Sequence, residues 1–279
     1  MEHIAVVTDS TADLSAETCA EYGIEVVPLS VTVGDETFAD GTYSQAEFFA
    51  KMAANPVLPT TSQPAVGAFR DAYERVLETA EQVVSVHISS RLSGTVEAAR
   101  QAAEAFGGRV RVIDSRNLSW GLGFQVLEAA RSAAAGLSLA EVVESVERVR
   151  DRVQLVVGLD RLDNLAKGGR IGRVAAFLGG MLNLRVTFCV RDGEFHPVGR
   201  ARGGQAVLRE TVEWVAQQMG ERRRGAFCVM HAMAADKAAW LKDAIEARFV
   251  VSEMNAAETG TVIATHTGTG FGVAFVPLD

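Results

Sequence analysis

Hydroxyl-bearing residues crowd three separate places in this 279-residue chain: Thr8-Asp9-Ser10-Thr11-Ala12-Asp13, Thr60-Thr61-Ser62-Gln63-Pro64 and Ser89-Ser90-Arg91-Leu92-Ser93-Gly94-Thr95. The third follows the β-branched run Val83-Val84-Ser85-Val86 and precedes the alanine-rich residues 96–106, so it reads as a strand running into a helix. A helix N-terminus offers unpaired N–H groups and a partial positive charge, which suit a carboxylate or phosphate oxygen. Ser93 is placed either to cap that helix or to hold an anion there. Thr61 and Ser62 stand just before a second helix, with Pro64 suited to its first turn, so two helix ends can converge on one anion. Ser93 with His266 and an aspartate would alternatively make a hydrolase triad, although Leu92-Ser93-Gly94 is not the G-x-S-x-G elbow.

Other chemistries fit less well. Asp9 and Asp13 are four apart, where a phosphatase nucleophile pair would stand, but no second acidic cluster or metal-ligand spacing accompanies them. Gly268-x-Gly270-x-Gly272 leaves only seven residues after it, too few for the crossover helix and strand of a dinucleotide site. Gly121-x-Gly123 lacks a third glycine, and no G-x-x-x-x-G-K-[ST] occurs, so ATP for any phosphate chemistry must come from another protein. His3, His87, His196 and His231 show no metal spacing and read as structural or surface residues. Cys19, Cys189 and Cys228 are odd in number and form no C-x-x-C pair, which indicates neither a disulfide framework nor a zinc site.

These residues must be carried by a packed fold. Hydrophobic residues make up 48% of the chain and charged residues 22%, a globular composition with enough length for two domains. The net charge of -8 argues against binding nucleic acid or an anionic membrane surface. The start of the chain has no basic region before a long apolar run, and the uncharged residues 259–278 are broken by glycines, threonines and His266. A cytoplasmic protein without stable membrane insertion is therefore expected.

Strands are expected at residues 3–7, 83–86 and 109–113, each ending in a polar loop, which favours a parallel sheet. Residues 15–22 form a short helix stopped by Gly23, and residues 24–38 a small inserted hairpin turning at Gly34-Asp35. Ser44 with Glu47 and Ser138 with Glu141 spell capping boxes for two further helices. Residues 118–135 also read as helix, and a boundary between two α/β domains, 1–152 and 153–279, falls after the helix that follows Ser138. In the second domain, residues 153–159 are a strand, 160–165 a short helix, and Lys167-Gly168-Gly169-Arg170-Ile171-Gly172-Arg173 a basic turn. Residues 174–184 are apolar. Asp192-Gly193 marks a hairpin, and Arg200-Ala201-Arg202 leads into a helix that reaches residue 219. A βαβ unit spans residues 226–254, residues 261–265 read as a last full strand, and 271–276 as a short strand or irregular tail.

Five of these motifs in order, Thr8–Leu14, Thr60–Pro64, Ser89–Thr95, Lys167–Ile171 and His266-x-Gly268, resemble the DegV family, whose members are similar to the fatty-acid-binding subunit of bacterial fatty acid kinase. The resemblance implies two α/β domains with a fatty acid in a tunnel between them and no cofactor besides that ligand. It implies a carboxylate held near Thr61, Ser62, Ser93, Gly94, Thr95 and His266. It also implies presentation of the acid to a separate ATP-dependent kinase that forms acyl phosphate, so that the chain is a carrier and not an enzyme by itself. Arg170, Arg173 and Arg202 would then face the partner or its phosphate. Thr269 and Val186 stand where the family usually has proline.

Overall fold

A computed structural model describes residues 3–159, 162–170, 185–201 and 203–279. Strands β1 (Ile4–Asp9), β2 (Ile24–Val27), β6 (Gln82–His87) and β7 (Val110–Asp114) form an all-parallel sheet in the order β2-β1-β6-β7. Between its strands run helices α1 (Ala16–Tyr22), α2 (Gln45–Ala54), α3 (Val66–Val76) and α4 (Thr95–Ala103). Gly23 ends α1 in the left-handed region, at φ 62°, which glycine adopts without a Cβ penalty. Both expected capping boxes form, at α2 and at α6 (Leu139–Arg152), which follows α5 (Trp120–Ala134).

A second, six-stranded sheet contains β8 (Gln154–Leu159), β9 (Arg185–Arg191), β10 (Glu194–Ala201), β11 (Arg224–Ala232), β12 (Val250–Glu258) and β13 (Gly270–Leu278), in the order β10-β9-β8-β13-β11-β12. Only β11 and β12 pair in parallel, through the crossover helix α9 (Ala235–Glu246). Helix α8 (Gly204–Met219) packs beside α9. Asp192 and Gly193 turn the β9–β10 hairpin with φ of 51° and 80°, the positive pair that a two-residue turn requires.

The layers follow from side-chain alternation along the strands. In the first sheet Val7 and Val83 face Phe69 and Tyr73 of α3 and Ala98 and Ala102 of α4. Val6, Val84 and Val86 face the opposite way, onto α5 and α6. The other side of that helix pair packs on Leu155, Phe188, Cys228 and Ala274 of the second sheet. The far face of the second sheet buries Phe227, Val273 and Phe275 under α8 and α9. The order is therefore helices, sheet, helices, sheet, helices, and one apolar core runs through α5 and α6 across the chain division at residue 152. Eleven of the fifteen residues of α5 are buried, as a helix with a sheet on each side demands.

Several expectations are corrected. Residues 261–265 are not a strand but the start of helix α10 (Thr261–Thr267), which ends at Gly268 with φ 66°. Their β-branched side chains suggest a strand, but tertiary bonds decide otherwise: Asp13 accepts the Gly260 N–H at 2.8 Å, and Asp40 accepts the Thr261 hydroxyl at 2.7 Å and the Val262 N–H at 3.2 Å. Thr265 and Thr267 turn their hydroxyls back onto the carbonyls of Thr261 and Ile263. Of the two readings of residues 271–276, the strand holds, but it is longer than expected: β13 has nine residues and lies in the sheet interior between β8 and β11. The short helix is α7 (Asp163–Lys167), starting later than expected.

Thr61 and Ser62 do not sit at a helix end. They lie in β5 (Thr60–Ser62), which joins β3 (Ser30–Val33) and β4 (Glu36–Ala39) in a three-stranded antiparallel sheet, and α3 begins only after Ala65, so Pro64 precedes its first turn. The expected hairpin over residues 24–38 forms only from Ser30 onward and gains a third strand, because Ile24–Val27 pairs instead as β2 in the parallel sheet. Residues 174–184, Arg173 and Arg202 lie outside the described residues. Val186, in place of the family's proline, is buried in β9 with β8 on one side and β10 on the other.

Asp9 and His87, read in sequence as a phosphatase candidate and a structural histidine, join in one fully buried network. One Asp9 oxygen accepts the Thr11 N–H at 3.0 Å and the Thr11 hydroxyl, and the other accepts the Ile88 N–H and meets His87 Nδ1, both at 3.0 Å. His87 Nε2 continues to Ser85 Oγ at 2.6 Å and Ser85 to the Tyr73 hydroxyl at 2.9 Å. Asp9→Ala should lower unfolding free energy by about 3 to 5 kcal/mol, because it strands these donors where water cannot replace the carboxylate. Urea unfolding of the two proteins measures it, and a loss below about 1 kcal/mol would show that the network relaxes at little cost.

Candidate functional site

Thr61, Ser62, Ser93, Gly94, His266 and Arg170 all line one cavity of about 290 Å³. It lies where the loops after the parallel strands meet the second sheet, the place at which α/β sheets present ligands. The loop after β6 brings Ile88, Leu92, Ser93 and Gly94, β5 brings Thr61 and Ser62, α10 brings Val262, Ile263, His266 and Thr267, and the hairpin brings Phe195. Part of its wall is polar, with Thr61, Ser62, Gln63, Ser93, Arg170 and His266. Much of the remaining wall is apolar, with Leu29, Ile88, Leu118, Leu165, Phe195 and Ile263.

Helix α4 begins after Gly94, not Ser93, and has no side-chain cap. Ser93 instead meets Thr95 Oγ1 at 2.8 Å, so the buried Thr95 orients Ser93 from behind and does not itself line the cavity. The uncapped first turn leaves backbone N–H groups available beside the cavity. Gln63 packs over Gly94, where a Cβ would stand 2.1 Å from Gln63 Oε1 and displace that side chain.

His266 Nε2 meets Thr61 Oγ1 at 2.8 Å, joining two residues 205 positions apart. Burial, with help from the charge of Arg170, pushes the His266 imidazole down to about 4, so it is neutral near pH 7. Gly168 packs on the same ring: a Cβ at that position would lie 2.5 Å from His266 Nδ1. The glycine of the basic turn thus has a steric reason that its sequence does not reveal. Arg170 Nη1 donates to the Gly168 carbonyl at 2.7 Å, which folds the side chain back toward the cavity it lines.

The hydrolase alternative does not assemble. Ser93 pairs with Thr95 and His266 with Thr61, so the nucleophile and base are not hydrogen-bonded to each other. Asp9, His87 and Ser85 do have the connectivity of a triad, but all three side chains are fully buried and line no described cavity. Asp13, the other phosphatase candidate, serves α10 and also accepts the Ser119 hydroxyl. Among the described residues no group of three His, Cys, Asp or Glu can hold a metal ion, and no helix is long and apolar enough to cross a membrane. Cys19, Cys189 and Cys228 are free thiols.

The family model described as "Uncharacterised protein, DegV family" matches residues 3–278. The chain belongs to the DegV family. A DegV domain-containing protein of Deinococcus radiodurans is 40% identical over 280 residues, covering 99% of both chains. Among solved structures, a DegV family protein from Thermus thermophilus described as binding fatty acid superposes with a TM-score of 0.95 at 36% identity, covering 100% of both chains. DegV of Bacillus subtilis, described as a fatty acid binding protein, gives 0.90 at 27% identity, again over 100% of both. Four of the five DegV motifs contribute residues to this cavity, Thr8–Leu14 does not, and Ile171, Arg173 and Arg202 lie outside the described residues. Gln63, Leu118, Leu165, Phe195 and Ile263 also line the cavity, and sequence reading did not single them out for the site.

The titrations make opposite predictions for stability. Asp13 moves from an ordinary 3.8 to about 8, chiefly by burial, so the folded state holds an extra proton between those values and loses stability as pH rises through the window. His266 moves from 6.5 to about 4, so its contribution is present above 6.5 and lost as pH falls through 4. From about pH 6.5 to 8 the Asp13 effect stands alone of the two, at up to about 1.4 kcal/mol per pH unit. Asp13→Asn should flatten that decline in urea unfolding measured from pH 5 to 9, and an Asn variant whose profile stays parallel to wild type would remove Asp13 as its source.

Proposed function

We propose that this DegV protein binds a long-chain fatty acid and presents its carboxylate to a separate ATP-dependent kinase. The observation that carries the reading is the polarity of the cavity. Its wall combines hydroxyls, a neutral imidazole bonded to Thr61 and an uncapped helix N-terminus with a set of apolar side chains. The fatty-acid-binding relative from Thermus thermophilus, similar over the whole length, supports the same ligand.

On this reading the head group lies against Ser93, Thr61, Ser62 and the first N–H groups of α4. With the proton on His266 Nε2, that nitrogen donates to the Thr61 oxygen and frees the Thr61 O–H to donate to the carboxylate. Thr95 holds Ser93 in position. The acyl chain supplies most of the affinity, about 0.8 kcal/mol per buried methylene before ordering costs. A carboxylate oxygen attacks the γ-phosphorus of ATP on the kinase, the bond to the β-phosphate oxygen breaks, and ADP leaves with acyl phosphate formed. Arg170 stands beside the head group, while Arg173 and Arg202 dock the kinase or steady the transferring phosphate.

Organic extracts of the purified protein, read by mass spectrometry, should contain stoichiometric fatty acid. Ser93→Ala/His266→Ala protein should retain much less, since losing the Ser93 hydrogen bond to a charged group costs about 1.5 to 3 kcal/mol and losing His266 leaves the Thr61 hydroxyl unoriented. Wild-type protein that carries no lipid and takes up none when it is added would end the proposal. Sustained turnover of generic esters that disappears in Ser93→Ala would replace it with the hydrolase. Charge reversal at Arg173 or Arg202 should leave fatty acid affinity unchanged and abolish kinase-dependent acyl phosphate formation; equal loss of lipid binding would place those arginines at the ligand instead.

A further inference from the structure

Behind the cavity lies a second, smaller void of about 30 Å³. Leu118, Phe195, Ile263 and Thr267 line both spaces and so form the partition between them. Beyond the partition the walls are Leu155 and Val157 of β8, Met230 of β11, and Gly270 and Gly272 of β13. Three hydroxyls stand at its edge, those of Ser119, Thr259 and Thr267. Thr267 donates to the Ile263 carbonyl at 3.0 Å, and Ser119 donates to Asp13. The rest of the wall is apolar, and a mostly apolar void of this size holds hydrocarbon in preference to water.

We propose that this slot is the compartment for the methyl end of the acyl chain, and that Phe195 sets how long a chain the protein accepts. The inference rests on the fatty-acid reading above. Of the four shared residues, Phe195 has the largest side chain. Its ring contacts Phe188 edge-on, with centroids 6.4 Å apart, and its hairpin is pinned to the head-group loop by the Ser89 hydroxyl, which donates to the Gly193 carbonyl at 2.9 Å. Truncating this ring removes the most wall between cavity and slot. As it stands, the slot has room for about two groups of water size, enough for a chain terminus and no more.

The second determinant explains a motif that had no function. Gly270 and Gly272 are two apart on one face of β13, the face turned to the slot, while Phe271 and Val273 point into the core beneath α8 and α9. A Cβ on Gly272 would stand 3.1 Å from Met230 Cε and 3.6 Å from Val157 Cγ2, both on slot-lining residues. Gly270 and Gly272 thus put no side chain into the slot, and a Cβ on either would also press on β8, 2.8 Å from the Gly158 carbonyl oxygen and 3.1 Å from that of Val156.

Binding of even-numbered saturated fatty acids of roughly ten to twenty carbons, measured by calorimetry on delipidated wild type, Phe195→Ala, Phe195→Leu and Gly272→Ala, tests this. Wild type should show a length optimum, with affinity rising about fourfold per methylene up to it. Phe195→Ala should move the optimum to longer chains, Phe195→Leu should move it less in the same direction, and Gly272→Ala should move it to shorter ones. Thermal melts identify any variant that does not fold, and the remaining variants then decide. If wild type binds the series and every folded variant keeps its optimum, the slot proposal falls while fatty acid binding stands. If wild type binds no member, both fall.

Discussion

Asp13 is buried where the loop after the first strand meets the helix that carries His266, and it ties together parts of the chain far apart in sequence. One carboxylate oxygen accepts the Gly260 N–H at 2.8 Å, 247 residues away, and the other accepts the Ser119 hydroxyl at the start of α5. Asp40 makes the adjoining bonds to Thr261 and Val262. Burying two carboxylates beside each other is costly, and the raised Asp13 carboxyl expresses that cost. What it secures is a seven-residue helix that would be marginal alone, held so that its last turn faces Thr61. Asp9 does the same work on the other side by holding Ile88, seven residues before the start of α4 that the site uses. Aspartates that look catalytic in sequence thus fix the backbone around the site.

The same bonds explain which parts of the fold were legible in sequence. Ser44 with Glu47, Ser138 with Glu141, Gly23 and Asp192-Gly193 act through neighbours within four residues, and each forms the local structure its spacing predicts. The parallel sheet was legible because its strands are buried on both faces and end in polar loops. Residues 261–267 were not, because their helical state depends on Asp13 and Asp40, more than two hundred positions away. A local signal did exist: glycines at 260 and 268 bracket one short helix as cap and stop. Thr60–Ser62 was misplaced for a related reason, since its strand exists only by pairing with β3.

Within the site, sequence identified the groups with distinctive chemistry and missed the groups that give it shape. Ser93 and Thr61 were named because hydroxyls near helix ends invite a chemical reading, and His266 entered the site through the resemblance to the DegV family. Phe195, Ile263 and Leu118 look like any core residue, and only the cavity distinguishes them. Gly168 illustrates the intermediate case: its glycine-rich setting suggested a flexible basic turn, whereas its lack of a side chain makes room for the imidazole.

The proposed head-group site is notable for how little positive charge touches it. Arg170 is the charged residue lining the cavity among the described residues, and it shares its guanidinium with the Gly168 carbonyl. His266 is neutral in the unliganded protein. A simple storage site would gain affinity from a bidentate arginine on both carboxylate oxygens, but that clamp would also draw charge from both oxygens and weaken the nucleophile that attacks phosphorus. Hydroxyls and helix amides hold the anion more weakly and leave one oxygen available, while the apolar wall retains the chain by area and not by charge. Weak polar grip with strong apolar retention is the combination that a protein handing a carboxylate to a second enzyme requires. It fits the presentation reading better than storage of the acid alone.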